Sequence, residues 1–241
     1  MLDDLENEHL VFPTTYSNPR NLYGDRPGEI WMPSECPVSI LAHGWFYRPD
    51  NKPRPFDKLR TIYLHTIGRG ANVLLNVAPD KRGMLDDDTL ASLRRFKKWH
   101  DLTFGDDLAR YSRASASNVR GKDERFSAVK ATGSDHTAYW CTDDNVTTPS
   151  LTLDFGKPAS FNLIRLREYL PLGQRVDAFA LDAWNGGQWT EFAHATSIGS
   201  CRLVPVKTIT STKLRLRITQ AAACPAISEL GVFKEASLPP N

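Results

Sequence analysis

The chain has 241 residues, of which 41% are hydrophobic and 24% charged, with a formal net charge of +2 at pH 7. That composition belongs to an ordinary globular protein, and a charge so near balance gives no electrostatic argument for nucleic acid as a partner. No apolar run is long enough to span a membrane, and the opening MLDDLENEHL is acidic and lacks the apolar stretch of a signal peptide.

The first informative stretch is GEIWMPSECPVSILAHGWFYRPD, residues Gly28–Asp50, read as a strand end opening into an aromatic and polar loop. Phe56–Ile67 follows as an amphipathic helix with Leu59, Ile62, Tyr63 and Ile67 on one face, and Gly68 and Gly70 close it. Ala71–Ala78 is a short apolar run, too short for a helix and with little polar alternation, which predicts a strand buried on both faces. Pro79–Gly83 turns the chain. Asp86–Asp88 then supply the cap and first-turn acids of a helix over Thr89–Phe104, with Leu90, Leu93, Phe96 and Trp99 at helical spacing. The order strand, helix, strand, helix predicts a parallel α/β sheet. In such sheets functional residues sit where strands end, the positions read here for Glu35, Trp45, Tyr47 and the Asn76–Asp80 turn.

A domain boundary is predicted near Asp106–Ser117, where the chain turns polar and small and the periodicity changes from helical to alternating. Arg120–Thr132 reads as a short helix and loop, and Tyr139–Trp140 as an aromatic plug. Strands are predicted at Leu151–Phe155, Phe161–Arg167, Ala178–Trp184, Trp189–Ala193, Arg202–Val206, Lys213–Ile218 and Ile227–Phe233. Asn185-Gly186-Gly187 marks a hairpin. Many short strands at regular spacing predict a β-sandwich. Arg165, Arg167 and Arg175 with Glu168 read as an exposed face or a surface packed on the first domain. The four cysteines, Cys36, Cys141, Cys201 and Cys224, are widely spaced and read as structural thiols. A Cys201–Cys224 or a Cys141–Cys224 bridge is open to them in an oxidising compartment. Asn145-Val-Thr147 fits the glycosylation pattern of a secreted eukaryotic protein.

WMPSEC followed by GWFY, a helix ending IGRGA, then LLNVAPDKRG and an L-x-x-F helix, resembles the end of the catalytic barrel of α-L-fucosidases, glycoside hydrolase family 29. The closer likeness is to the branch acting on α-1,3/1,4-linked fucose. SASNVRG, FNLIRLREYLPLGQRV and ISELGVF resemble the sandwich appended to those enzymes. The resemblance implies an α/β plus all-β protein. Residues 1–108 are expected to be the incomplete C-terminal part of a (β/α)₈ TIM barrel, and 109–241 a jelly-roll, discoidin-like β-sandwich of a kind that often binds galactosides. A whole barrel takes about 250 residues, so a fragment or one half of a split enzyme is expected, with open sheet edges.

The resemblance implies retaining hydrolysis, in which a nucleophilic carboxylate and an acid lie about 5–5.5 Å apart. The family's nucleophile is an Asp in a W-x-D-G-like strand end, and no such motif occurs in this sequence, so the isolated chain is expected to be inactive. Glu8, in Asn7-Glu8, is the candidate remnant of the general acid, and Glu35 the second catalytic candidate, with a salt bridge to Arg48 or Arg69 as its structural alternative. Trp45, Trp31 and His43 are the candidate sugar contacts. For the two tryptophans core packing is the alternative, and for His43 a solvated loop. Asn76 is read as fixing its loop and Asp80 as making a turn. A lectin-like role is weighed for Trp140, Trp184 and Trp189 against burial in the sandwich.

No cofactor and no metal is implied. The implied partners are a fucosylated glycan and a separately encoded N-terminal barrel half, with no nucleic acid or membrane. The relatives so implied are secreted, periplasmic or extracellular. A non-catalytic carbohydrate-binding or interaction module docking to a separate catalytic half is the alternative function.

Overall fold

The computed structural model describes residues 34–239, so Glu8 and Trp31 lie outside the described residues. Two compact units are present: the described residues up to Asp106 together with those from Glu235 onward, and Asp107–Lys234.

The first unit is α/β. Strand β1 (Glu35–Ser39) pairs in parallel with β2 (Asn72–Asn76), in register from Glu35 opposite Asn72 to Ser39 opposite Asn76. Helix α1 (Phe56–His65) makes the crossover and is followed by a 3₁₀ turn at Ile67–Arg69; Gly70 then takes a left-handed φ of 81°. Only a residue without Cβ adopts that conformation cheaply. Helix α2 (Asp87–Phe104) starts where the sequence predicts, because the Asp86 side chain accepts from the Thr89 amide at 3.0 Å. Trp99 of α2 is fully buried and edge-on to Phe56 and Tyr63, with ring centroids at 6.0 and 5.6 Å. Its indole N–H donates to Glu235 Oε1 at 3.0 Å, and Arg60 of α1 grips the same carboxylate. The unit is thus completed by residues from the far end of the chain.

The strand predicted over Ala71–Ala78 is shorter and more open than the sequence suggests: Leu74 of β2 is 57% exposed. Among the described residues this sheet has two strands. A two-stranded sheet leaves a row of backbone groups and apolar side chains without a neighbour.

The second unit is a β-sandwich. Its strands are β3 (Arg113–Ala116), β4 (Trp140–Cys141), β5 (Ser150–Glu168), β6 (Val176–Asn185), β7 (Gln188–Thr196), β8 (Arg202–Ala221) and β9 (Ala226–Phe233). The strand pairs predicted at Leu151–Phe155 with Phe161–Arg167, and at Arg202–Val206 with Lys213–Ile218, are each one continuous strand. Both strands bend where the β5–β8 register shifts between Asp154 and Ala159, beside Gly156 at φ 71°. On one side of the bend β5 joins β3 and β8, which continues to β6 and β7; on the other it lies between β8 and β9, with β4 beyond. The two halves of β5 and β8 therefore belong to two layers. Leu151, Leu153, Phe179, Leu181, Leu214 and Leu216 of one layer share a core with Phe161, Ile164, Leu166, Val204, Leu230 and Val232 of the other.

The β6–β7 hairpin forms as predicted. Gly186 and Gly187 both have positive φ, 56° and 116°, between paired Asn185 and Gln188. Trp140 is fully buried and donates to the Asn118 carbonyl at 2.9 Å, which makes it the plug that the sequence suggests.

An exposed face around Glu168 is not what the structure has. Glu168 is buried and accepts from the backbone amides of Arg175, Val176 and Gly199 at 2.7, 2.9 and 2.8 Å, stapling two loops. Burial outweighs those three bonds and holds its carboxyl above the usual range. Arg165 and Arg167 do not face open water either: their Nε atoms converge on buried Glu229 at 2.7 and 2.8 Å. Alternation of charge along β5 suggested solvent, but a buried carboxylate on the neighbouring strand meets those arginines instead.

Candidate functional site

The C-terminal ends of β1 and β2 lie side by side, and the loop leaving β1 folds over this end. Its base is zipped by an antiparallel bridge of Leu41 with Pro53 and by bonds from Ala42 N to Lys52 O, 2.9 Å, and Arg54 N to Ile40 O, 2.7 Å. Higher up, the Asn51 side chain brackets His43, accepting from its amide at 3.1 Å and donating to its carbonyl. Asn76, the last residue of β2, donates from Nδ2 to the Trp45 carbonyl at 2.7 Å. Two asparagines thus fix the segment His43–Trp45 without using its side chains. Trp45 is 41% exposed, and His43 and Phe46 are exposed.

Beside this loop is a groove of about 530 Å³, lined by Tyr47, Arg48 and Lys52 on one side and by Asp80, Arg82 and Asp86 among others on the opposite side. Asp80 makes the turn expected of it: it accepts from the amides of Arg82 and Met84 at 2.7 and 3.3 Å, and Arg82 forks onto Oδ2 at 2.9 and 2.6 Å. The Arg82 hydrogen bond holds the Asp80 carboxyl below the usual carboxylate range. Lys52 reaches Asp88 at 2.6 Å, which raises the lysine. At Asp86 burial is the largest influence, but the bonds from Thr89 outweigh it and hold the carboxyl low. Asp80, Asp86 and Asp88 are thus engaged by Arg82, Thr89 and Lys52, and Tyr47 lines the groove beside the exposed His43 and Trp45 of the neighbouring loop.

Glu35 is not with them. It opens β1, about 13 Å along the strand from Ser39 at the other end, and His43 and Trp45 follow that other end. The expectation that Glu35 stands at the same strand end as the loop residues is corrected on this point: a parallel strand has its βα loop only at its C-terminal end. The Asn51 bracket was missed by the sequence reading, since nothing in a polar loop singles out the asparagine that closes it.

In the sandwich, Trp184 and Trp189 face each other across the hairpin, with centroids 5.1 Å apart. Lys213 lies over Trp184 and Arg215 over Trp189, at 5.8 and 4.4 Å, so cations already occupy ring faces. Among the described residues no three His, Cys, Asp or Glu side chains gather as a metal site, and no helix is long and apolar enough to cross a membrane.

The described residues thus comprise a parallel strand–helix unit with a polar loop cluster at its strand ends and a β-sandwich. A family model described as NedA-like, galactose-binding domain matches residues 130–216. Alpha-L-fucosidase 1 of Arabidopsis thaliana is 31% identical over 216 residues, 88% of this chain and 42% of the plant protein. The crystal structure of SpGH29 is 32% identical with a TM-score of 0.83, over 91% of this chain and 48% of that one. A Ruminococcus gnavus GH29 fucosidase solved in complex with fucose is 26% identical with a TM-score of 0.83, over 89% and 43%.

Over most of its length the chain is similar to the C-terminal part of α-L-fucosidases of glycoside hydrolase family 29. It spans about two fifths of the length of the curated relative and less than half of the solved ones.

Proposed function

We propose that the α/β unit supplies part of the sugar-binding rim of a retaining α-L-fucosidase acting on terminal α-1,3/1,4-linked L-fucose of glycans. The observation that carries this reading is the loop His43–Trp45, held by Asn51 and Asn76 over the C-terminal ends of two parallel strands, in a chain matching α-L-fucosidases over 88% of its length. The Trp45 indole stacks on the apolar face of the pyranose and His43 bonds a hydroxyl. The reacting pair is a carboxylate that attacks the anomeric carbon and an acid that protonates the leaving oxygen, about 5–5.5 Å apart. Asp80, Asp86 and Asp88 are engaged as described, and Glu35 stands at the other end of β1, so none of the four serves as the nucleophile. The chain also has no W-x-D-G motif. In this reading the nucleophile is supplied by a separate N-terminal barrel half that docks on the open β1–β2 sheet, and the isolated chain does not turn over substrate.

An aryl α-L-fucoside tests this directly. The isolated chain is expected to release no phenol, and measurable hydrolysis overturns the reading. Fucose added to the chain should perturb indole NMR signals in the wild type and not in Trp45→Ala. Co-expression with an upstream fucosidase half should give one species on size exclusion, with activity restored.

A second reading, a galactoside-binding sandwich, is favoured by the family-model match over 130–216. Glycan-array binding that survives Trp45→Ala and is lost on Trp189→Ala supports it.

A further inference from the structure

The sandwich brings together two cysteines that glycan binding and hydrolysis do not use. Strand β4 runs antiparallel to β9 with Cys141 opposite Ala226, and Cys224 lies two residues ahead of Ala226 in the connection from β8. Both thiols are buried in one cluster with Ala226, walled by Phe126, Tyr139 and Tyr169. Tyr139 and Tyr169 stack at 4.2 Å and close the cluster. The two residues are neighbours in that cluster, and Cys224 acts electrostatically on Cys141. Cys201, the other thiol of this unit, is buried instead beside Arg167, Arg165 and Glu229. Of the two bridges that the sequence left open, the fold thus brings together Cys141 and Cys224.

The two sulfurs are not equivalent. Cys224 Sγ accepts from Arg175 Nη1 at 3.1 Å and from Arg120 Nη1 at 3.9 Å, and donates to Asp144 Oδ1 at 3.8 Å. Cys224 is thus the sulfur with charged side chains gathered around it, and it is taken as the first to react. Burial, and then the neighbouring Cys224, push the Cys141 thiol up, so it stays protonated longer and reacts second.

We propose that Cys141 and Cys224 form a redox pair that closes to an intramolecular disulfide by exchange with a glutathione-type disulfide, pinning β4 to the β8–β9 connection. In the first step the Cys224 thiolate attacks one sulfur of oxidised glutathione and expels one glutathione thiolate, which takes up the proton. In the second, Cys141 attacks the mixed disulfide at Cys224 and expels the other glutathione. The protein loses two electrons and two protons, and one glutathione disulfide becomes two glutathione thiols.

The full chain, purified reduced, is incubated with oxidised glutathione, alkylated and digested with trypsin without reductant. The expected result is a linked peptide pair carrying Cys141 and Cys224, two hydrogens lighter than the separate peptides and reversed by dithiothreitol. Cys201→Ser should leave the link intact, and Cys141→Ser should stop at a glutathione adduct on Cys224. The oxidised wild type should melt at least about 5 °C above the reduced form, because the cross-link closes a long loop in the unfolded chain. Both cysteines remaining alkylatable, a link to Cys201, or an adduct on wild-type Cys224 that never resolves would each overturn the proposal.

Discussion

Asp182 offers the sharpest test of how the sandwich is held. Its side chain is 2% exposed and accepts from Arg215 Nε at 2.8 Å and from Arg217 Nε and Nη2 at 2.7 and 3.0 Å. Replacing it with Asn keeps the shape and removes the charge. Leaving buried charges without a partner costs about 3–5 kcal/mol when they are sealed from water. Here Arg215 and Arg217 are 25% and 34% exposed, and Arg217 keeps a second bond to Glu191 at 2.7 Å, so hydration and that bond recover part of the loss. Asn also retains a carbonyl acceptor. We therefore expect Asp182→Asn to destabilise by about 2 kcal/mol, a fall in melting temperature of roughly 5–10 °C for a unit of this size.

The same residue sets a pH signature. Burial is the largest single influence on Asp182 and raises its carboxyl, but the bonds and charges of Arg217 and Arg215 together hold it below its ordinary value of 3.8. A depressed folded value means that the stabilisation is complete above 3.8 and is lost as pH falls through the folded value. The gap between wild type and Asp182→Asn should accordingly be full at neutral pH and close on acidification. Thermal melts followed by tryptophan fluorescence read both quantities. A variant melting within about 1 °C of wild type at neutral pH, or a gap that persists in strong acid, refutes the reasoning.

Other outcomes follow from the same contacts. Asp86→Ala removes the cap that meets Thr89 N at 3.0 Å and Thr89 Oγ1 at 2.9 Å. It should cost about 1 kcal/mol, read as faster hydrogen exchange in the first turn of α2. Trp99→Ala empties the centre of the α/β unit and should cost about 3–5 kcal/mol. Limited proteolysis should then degrade that unit while fragments of the sandwich persist. Burial holds the Asp107 and Glu168 carboxyls above their ordinary 3.8 and 4.5. Groups raised on folding favour the native state more as pH falls through the folded value, so the urea midpoint of the sandwich should rise on acidification from neutral pH toward the ordinary carboxylate range. Glu168→Gln should flatten that rise.

Much of the fold was legible because its signals are local. Asp86 and Thr89 fix a helix start within four residues, and Asn185-Gly186-Gly187 fixes a hairpin in three. The parallel order of β1 and β2 follows from a helix between two apolar runs. What was not legible depends on distant partners. Phe155 to Ser160 looks like a strand break, yet the strand continues, because β8 resumes the pairing at Ala159 after a register shift. The charges on Arg165 and Arg167 look solvated until Glu229, more than sixty residues away, is placed between them. At the candidate site the role of Asn76 could be read, since a polar residue ending an apolar strand has a backbone to hold. Glu35 was misplaced because a motif lists residues without saying at which end of a strand each one falls.

The carboxylate of Glu235, gripped by Arg60 and by the Trp99 indole, has a bearing on how this protein is made. On the ribosome every residue of Asp107–Lys234 has been polymerised before Glu235 is added. The all-β portion is thus free to fold while the helical portion, synthesised earlier, still waits for its last acceptor. Birth order and completion order run in opposite directions between these two units, and the codon for Glu235 decides when the helical one is finished.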